Sequence, residues 1–176
     1  MGKQILIVVD MQNDFISGSL GTQEAQGIVS KVAEKIANFS GDIYFTMDTH
    51  DESYETSQEG KSLPIAHCQE GTKGWQLAEQ VLQATEVDSE KIYCKGQFGS
   101  VELAEDLQYL NEVEPIESIE LVGLCTDICV VSNALLLKAF LPEVPITVDS
   151  SCCAGVTPEK HEAALETMKS CQIHVI

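Results

Sequence analysis

The sequence has few basic residues, no long hydrophobic run and no repetitive segment. Ten lysine and arginine residues stand against 28 aspartate and glutamate residues, which gives a net charge of −18. Nucleic acids and anionic membranes both require a positive protein face, so neither is expected as a partner. No apolar run reaches the length of a membrane span, and no repeat, low-complexity stretch or linker divides the chain. We therefore predict one domain over residues 1–176.

The N-terminus also lacks the pattern of a secretion signal. The apolar run over residues 5–9 is too short for a signal-peptide core, and acids and amides follow it instead of a small-residue cleavage site. The seven cysteines are odd in number, and several lie in or beside apolar runs. We therefore expect a cytoplasmic protein with free thiols and no disulfide framework.

Short β-branched runs alternate with helical patterns along the chain. Strands are predicted at residues 5–9, 43–45, 91–94, 119–124, 146–148 and 173–176, and helices at residues 26–38, 75–83, 101–111, 129–139 and 158–170. This alternation within one domain indicates an α/β fold with a parallel sheet covered by helices on both faces. The irregular stretch 48–73 is too long for a plain connection, so we expect a functional loop there.

Polar residues follow several predicted strands at their carboxyl ends, where open parallel sheets bind ligands. Asp10 follows the first strand, Lys95 follows the third, and Cys129 follows the fourth at the start of a predicted helix. The unpaired N–H groups and the dipole of a helix start favour a thiolate, and they can also receive a negative oxygen. Asp10 is a candidate general base and Lys95 a candidate cation beside the thiol. The alternatives, a capping acid at Asp10 and a solvent-exposed strand end at Lys95, remain open.

Asp48 and His50 at a strand end, with His67 further along the loop, form a candidate metal site. Carboxylate and imidazole groups suit zinc, iron or manganese. Three protein ligands would leave positions open for water or substrate. Glu59 is a possible further ligand, with two other glutamates of the same loop as competitors.

Five segments in chain order together resemble the isochorismatase-like cysteine hydrolases, and more narrowly their nicotinamidase branch. The segments are VVDMQNDF at 8–15, DTH at 48–50, PIAHCQEGT at 64–72, KG at 95–96 and GLCTDICV at 123–130. One such motif would be weak evidence, but five in register are strong. The match extends from the first predicted strand to the last predicted helix.

The resemblance implies a three-layer α/β/α fold, with a six-stranded, mostly parallel, Rossmann-like sheet and an Asp10–Lys95–Cys129 triad. Asp10 would take the thiol proton, and Cys129 would form a thioester with the acyl group of a small carboxamide, as in the conversion of nicotinamide to nicotinate and ammonia. The backbone N–H groups of Cys125 and Cys129 would form the oxyanion hole, helped by a cis peptide bond between Leu124 and Cys125.

The same resemblance implies a divalent metal, often zinc, on Asp48, His50 and His67, which would orient the pyridine nitrogen of the substrate. It also implies a small-molecule amide as partner and a homo-oligomer in solution. Together these implications form a hypothesis for the whole site, which comprises a nucleophile, a base, a cation, an oxyanion hole and a metal.

The sequence departs from the nicotinamidase pattern at one aromatic position. Phe15 matches a phenylalanine that clamps the substrate ring in that branch, but Pro64 stands three residues before His67, where a tryptophan is usual. Trp75 comes later in the chain and could also stack on a flat substrate or simply pack. Two alternative functions therefore stay open: a related hydrolase of a ureido, carbamoyl or vinyl-ether substrate, and a non-enzymatic metal- or redox-sensing module with the same fold.

Overall fold

A parallel sheet of six strands forms the centre of the computed structural model, which describes residues 2–176. The strand order is β3-β2-β1-β4-β5-β6. The strands are β1 (Lys3–Val9), β2 (Asp42–Asp48), β3 (Ile92–Lys95), β4 (Ile116–Leu124), β5 (Ile146–Ala154) and β6 (His174–Val175). The helices are α1 (Asn13–Ile16), α2 (Gln23–Asn38), α3 (Gln58–Ser62), α4 (Glu79–Ala84), α5 (Val101–Val113), α6 (Val131–Phe140) and α7 (Pro158–Ser170). The predicted α/β class and six-stranded parallel sheet are confirmed.

Helices cover both faces of the sheet and give the predicted three layers. One face packs against α1, α2 and α4, and the other packs against α5, α6 and α7. Strand β1 shows the consequence, because Leu6 and Val8 face the first helix layer while Ile7 and Val9 face the second. Both sides of this strand are buried, which explains why its sequence is a continuous apolar run and does not alternate.

Helix α2 is built from the spacing that the sequence displays. Ile28, Val32 and Ile36 recur at intervals of four residues and are buried against the sheet. Thr22 caps the helix by accepting a hydrogen bond from the backbone N–H of Ala25 at 3.0 Å. The helix therefore begins at Gln23, three residues before the predicted start.

The predicted helix over residues 75–83 is wrong in its first half. Gln12 and Leu77 form an antiparallel bridge, and the backbone N–H of Ala78 donates to the carbonyl oxygen of Met11 at 2.9 Å. This pairing holds the chain extended up to Ala78, so α4 begins only at Glu79. A long-range backbone pairing has overridden the local apolar spacing.

Gly123 allows β4 to pass β1 closely at the carboxyl edge of the sheet. Its φ is +121°, a backbone conformation that residues with a side chain rarely adopt. A Cβ atom there would lie 2.1 Å from the carbonyl oxygen of Val9. The chain then leaves β4 through a cis peptide bond between Leu124 and Cys125. The close approach at Gly123 places the end of β4 directly beside the end of β1.

Among residues 2–176, no helix combines the length and the apolar character needed to cross a membrane.

Candidate active site

Asp10, Lys95 and Cys129 meet at the carboxyl edge of the sheet. Asp10 follows β1, Lys95 ends β3, and Cys129 lies in a π-helical turn, Thr126–Val130, that follows β4. The Lys95 Nζ atom is 2.7 Å from Asp10 Oδ2 and 3.5 Å from Cys129 Sγ. The structure thus brings together an acid, an ammonium and a thiol from three segments that are far apart in sequence.

Asp10 is fully buried and held in an unusual backbone conformation. Its φ is +48°, and its N–H donates to the carbonyl oxygen of Thr46 at 3.1 Å. Oδ1 accepts a hydrogen bond from Thr46 Oγ1 at 2.6 Å. Within the described chain Oδ2 has the Lys95 ammonium beside it but no aligned hydrogen-bond donor. Such strain is typical of functional sites, and the open oxygen can accept a proton.

Burial raises the pKa of Asp10, and the charge of Asp48 adds to this rise, while the Lys95 ammonium opposes it. Burial alone would lower the pKa of Lys95, but the charges of Asp10, Cys129 and Asp48 raise it above its ordinary value. Lys95 is therefore held as a cation. The carboxyl group of Asp10 has a higher affinity for a proton than usual.

The expectation that the position of Cys129 favours a thiolate is not met. Burial and the neighbouring Asp10 carboxylate raise the pKa of the Cys129 thiol well above its ordinary value, and these effects outweigh the Lys95 ammonium. The predicted helix start is also displaced, because a π-turn occupies Thr126–Val130 and α6 begins at Val131. In the resting site the proton is thus on sulfur, and ionisation requires a base.

The turn that carries Cys129 is held by contacts that the sequence reading did not identify. The Thr126 hydroxyl is hydrogen-bonded to His161 Nδ1 at 2.8 Å, and Asn133 Nδ2 donates to the carbonyl oxygen of Cys129 at 2.8 Å. Cys125 and Cys129 both line the cavity described below. The role of their N–H groups as an oxyanion hole stays a prediction.

Asp48, His50 and His67 form one cluster, and Glu59 from the long loop joins it. The His50 Nε2 and His67 Nε2 atoms lie 2.9 and 3.3 Å from Asp48 Oδ2. The donor atoms of all four residues lie within 4.8 Å of one another. Neighbouring ligand atoms on one zinc ion are separated by roughly 3 Å, given Zn–N and Zn–O bonds of about 2.0 Å. Two imidazoles and two carboxylates at this spacing fit a divalent metal such as zinc.

Other groups hold these candidate ligands in place. The Gln12 side chain donates from Nε2 to the carbonyl oxygen of Asp48 at 2.8 Å and accepts the Asp48 N–H at 2.8 Å. His67 Nδ1 donates to the Ile65 carbonyl oxygen at 2.8 Å, so Nε2, which faces Asp48, is the ring nitrogen that would bind a metal after loss of its proton. Burial tends to raise the pKa of Asp48, but hydrogen bonds from both histidines and the charge of Lys95 lower it below its ordinary range. Asp48 therefore stays ionised.

A cavity of about 750 Å³ connects the thiol to the histidine cluster and to solvent. Phe15 lines it and packs against His67 with 5.6 Å between ring centroids, and its contact with a substrate ring stays a prediction. Phe98, which was not predicted, also lines the cavity and is exposed. Trp75 is not among its lining residues, because its Nε1–H is directed to the Thr49 hydroxyl at 2.8 Å.

Comparison with known proteins finds relatives over nearly the whole chain. The sequence profile of the isochorismatase domain matches residues 4–176. The isochorismatase-family protein PncA of Bacillus subtilis (strain 168) is 30% identical over 174 residues, which cover 93% of this chain and 92% of that protein.

Solved structures agree with the fold. A pyrazinamidase of Pyrococcus horikoshii in complex with zinc is 28% identical, with a TM-score of 0.79 and coverage of 99% of this chain and 98% of that one. A pyrazinamidase/nicotinamidase of Streptococcus mutans is 27% identical, with a TM-score of 0.82 and coverage of 98% and 99%. The same architecture therefore supports amide hydrolysis in proteins that this chain resembles throughout its length.

Proposed function

The chain belongs to the isochorismatase family, and we propose that it is a cysteine-dependent amidohydrolase that converts a small carboxamide, such as nicotinamide, to its acid and ammonia. The observation that supports this most is the triad geometry, in which Lys95 Nζ lies 2.7 Å from Asp10 Oδ2 and 3.5 Å from Cys129 Sγ. The similarity to pyrazinamidases and nicotinamidases supports the same class of substrate.

The proposed reaction begins with a proton transfer from the Cys129 thiol to Asp10 as sulfur attacks the carboxamide carbon. The raised pKa of Asp10 suits it for accepting this proton, and Lys95 offsets the negative charge that develops on sulfur and oxygen. Asp10 then gives the proton to the leaving nitrogen, so that ammonia departs and an acyl thioester remains. Water cleaves the thioester, releases the carboxylic acid and restores the thiol.

The oxyanion of each tetrahedral intermediate would be received by the N–H groups of Cys125 and Cys129. This role is supported by the position of both residues at the cavity and by the turn that fixes their backbone. Phe15 provides an apolar wall for a flat ring.

Asp48, His50, Glu59 and His67 would hold a divalent metal, which supplies a Lewis acid that orients a ring nitrogen of the substrate. In this proposal Glu59 is a fourth ligand, in addition to the three residues predicted from the sequence. Replacing Glu59 with glutamine should weaken zinc affinity about tenfold or more. Isothermal titration of zinc into the apoprotein measures this, with the loop variant Glu55→Gln as control. Equal affinities for the two variants would remove Glu59 from the site.

The proposed reaction is tested by ammonia release from nicotinamide and a panel of related amides. The purified, metal-loaded protein should release ammonia, and Cys129→Ala should lower kcat by about a thousandfold or more. Iodoacetamide should inactivate the wild-type protein in parallel with alkylation of Cys129. Equal ammonia release by wild type and Cys129→Ala across the panel would overturn the proposal.

A further inference from the structure

The cavity that leads to Cys129 is lined by acids and, within residues 2–176, by no lysine, and its two histidines, His50 and His67, are the proposed metal ligands. Four carboxylates line it, those of Asp48, Asp51, Glu59 and Glu70, and no lysine of the described chain is among its lining residues. All ten basic residues of the sequence are lysines, so no guanidinium group can bind a substrate carboxylate here. The nearest cation, Lys95, lies behind the cavity wall and is paired with Asp10.

A bound metal does not cancel this negative charge. Two positive charges of a divalent ion would offset two of the four carboxylates, those of the proposed ligands Asp48 and Glu59. Asp51 and Glu70 would remain as an excess negative charge at the wall of the cavity. Lys95 does not offset this excess charge, because its own positive charge is balanced by the Asp10 carboxylate.

We propose that Glu70, together with Asp51, selects substrates by charge. The cavity admits neutral or cationic carboxamides, discriminates against amides that carry a carboxylate, and repels the carboxylate product once the thioester is cleaved. This inference rests on the proposed amidase reaction and narrows its substrate class. It also disfavours the ureido acids and other anionic compounds among the alternative substrates.

Glu70 is the residue of this pair that can be changed without removing a structural contact. Its backbone N–H donates to the His50 carbonyl oxygen at 2.9 Å, which fixes its place, whereas its exposed carboxylate has no hydrogen bond or ion pair within residues 2–176. Asp51 differs, because its Oδ1 atom accepts hydrogen bonds from the Ser53 N–H and hydroxyl at 2.8 and 2.6 Å. Glu55 provides a matched control, since it lies in the same loop, is exposed, and is not part of the cavity lining.

The first test measures kcat/KM for nicotinamide and for the same amide bearing one ring carboxylate, with the metal-loaded full chain. Glu70→Gln should raise the ratio of kcat/KM for the anionic substrate to kcat/KM for the neutral one by about twofold. Glu70→Lys should raise the same ratio by about fivefold. About 1 M salt should remove most of this difference. Glu55→Gln and Glu55→Lys make the same changes in net charge and should leave the ratio within about 1.5-fold of wild type. Equal shifts for the Glu70 and Glu55 variants would overturn the proposal.

A second test needs no amidase activity. Iodoacetamide and iodoacetate both alkylate a thiolate by displacement of iodide and differ mainly in charge. Peptide mass spectrometry gives their rate ratio at Cys129, with the exposed Cys94 of the same chain as internal reference. Wild type should prefer the neutral reagent more strongly at Cys129 than at Cys94, and Glu70→Lys should reduce this preference while Glu55→Lys should not.

The two tests separate the charge selection from the reaction itself. If no amide is hydrolysed but the alkylation ratio responds to Glu70→Lys, the proposed function fails and the charge selection stands. If amides are hydrolysed and neither ratio responds to Glu70→Lys, the charge selection is wrong and the amidase function stands.

Discussion

Two of the lysine–carboxylate clusters in this fold contain similar groups in contrasting surroundings. Lys95 pairs with Asp10 and faces Asp48 at the carboxyl edge of the sheet. Lys35 of α2 pairs with Glu120 of β4 and with Asp149 of β5, whose Oδ2 atom is 2.6 Å from its Nζ. The first cluster adjoins a thiol and a cavity, whereas the second joins α2 to β4 and β5.

Asp10 and Asp149 differ in their burial and in the number of groups that pair with their carboxylate oxygens. Asp149 has Lys35 on one oxygen, and its other oxygen accepts hydrogen bonds from the Ser151 N–H and hydroxyl at 3.0 and 2.8 Å. Burial tends to raise the pKa of Asp149, but these partners lower it below its ordinary value. Asp10 is fully buried with fewer partners, and burial raises its pKa. In the proposed reaction, the buried acid with fewer partners serves as the base, whereas the acid with more partners stabilises the fold.

The largest expected contrast comes from removing each lysine. Lys95→Met should lower kcat by about a thousandfold or more, because the charge that develops on sulfur and oxygen loses its cation. Lys35→Met should leave kcat within about twofold and lower the free energy of unfolding by only about 1 kcal/mol, since this cluster is partly solvent-screened. Steady-state ammonia release and urea unfolding measure both effects. If Lys35→Met lost as much activity as Lys95→Met, the proposed difference in role between the two clusters would be wrong.

Removing the charge of each acid sharpens the comparison further. Asp10→Asn should lower kcat by roughly a hundredfold to ten-thousandfold while leaving the free energy of unfolding at neutral pH unchanged or higher, because a raised pKa means that the buried charge disfavours the folded state. Asp149→Asn should do the reverse, with full activity and a loss of about 1 kcal/mol of stability. An Asp10→Asn variant less stable than Asp149→Asn would contradict this assignment.

The smallest effect is the pH dependence of those stability changes. The pKa of Asp149 is lowered by folding, so its contribution to stability is present above the unfolded pKa and is lost as pH falls through the folded pKa. The pKa of Asp10 is raised, so its cost is absent in acid and develops as pH rises through the folded pKa. Urea unfolding from acidic to neutral pH should therefore show the Asp149→Asn and Asp10→Asn differences growing with opposite signs. Differences that are independent of pH would show that neither carboxylate behaves as described.

The positions of Asp10, Lys95 and Cys129 could be predicted because a simple rule connects sequence to place. Each follows a strand, and the carboxyl ends of parallel strands lie at one edge of a sheet. Glu59 and Glu70 could not be placed in the same way, since neither follows a strand, and the path of the segment that carries them, including the short helix α3, depends on tertiary contacts such as the bridge between His50 and Gln69. The sequence around these two glutamates shows no hydrophobic periodicity from which their positions could be predicted.

The pKa of Cys129 is shifted in the direction opposite to the sequence-based expectation for a related reason. The local sequence indicated a helix start, whose dipole and N–H groups lower a thiol pKa. The folded chain replaces that start with a π-turn, buries the thiol and sets Asp10 beside it. Burial and a neighbouring charge are tertiary properties, and no motif of ten residues contains them.

The central claim is that Cys129 forms an acyl thioester, and partitioning with hydroxylamine tests it most directly. Metal-loaded protein is supplied with nicotinamide and increasing hydroxylamine, and both ammonia and acyl products are measured, with rapid acid quenching to map adducts. A thioester predicts that nicotinohydroxamate replaces nicotinate as hydroxylamine rises, and that any acyl adduct maps to the peptide carrying Cys129. Unchanged ammonia release with nicotinate as the only product and no adduct on that peptide would contradict the account.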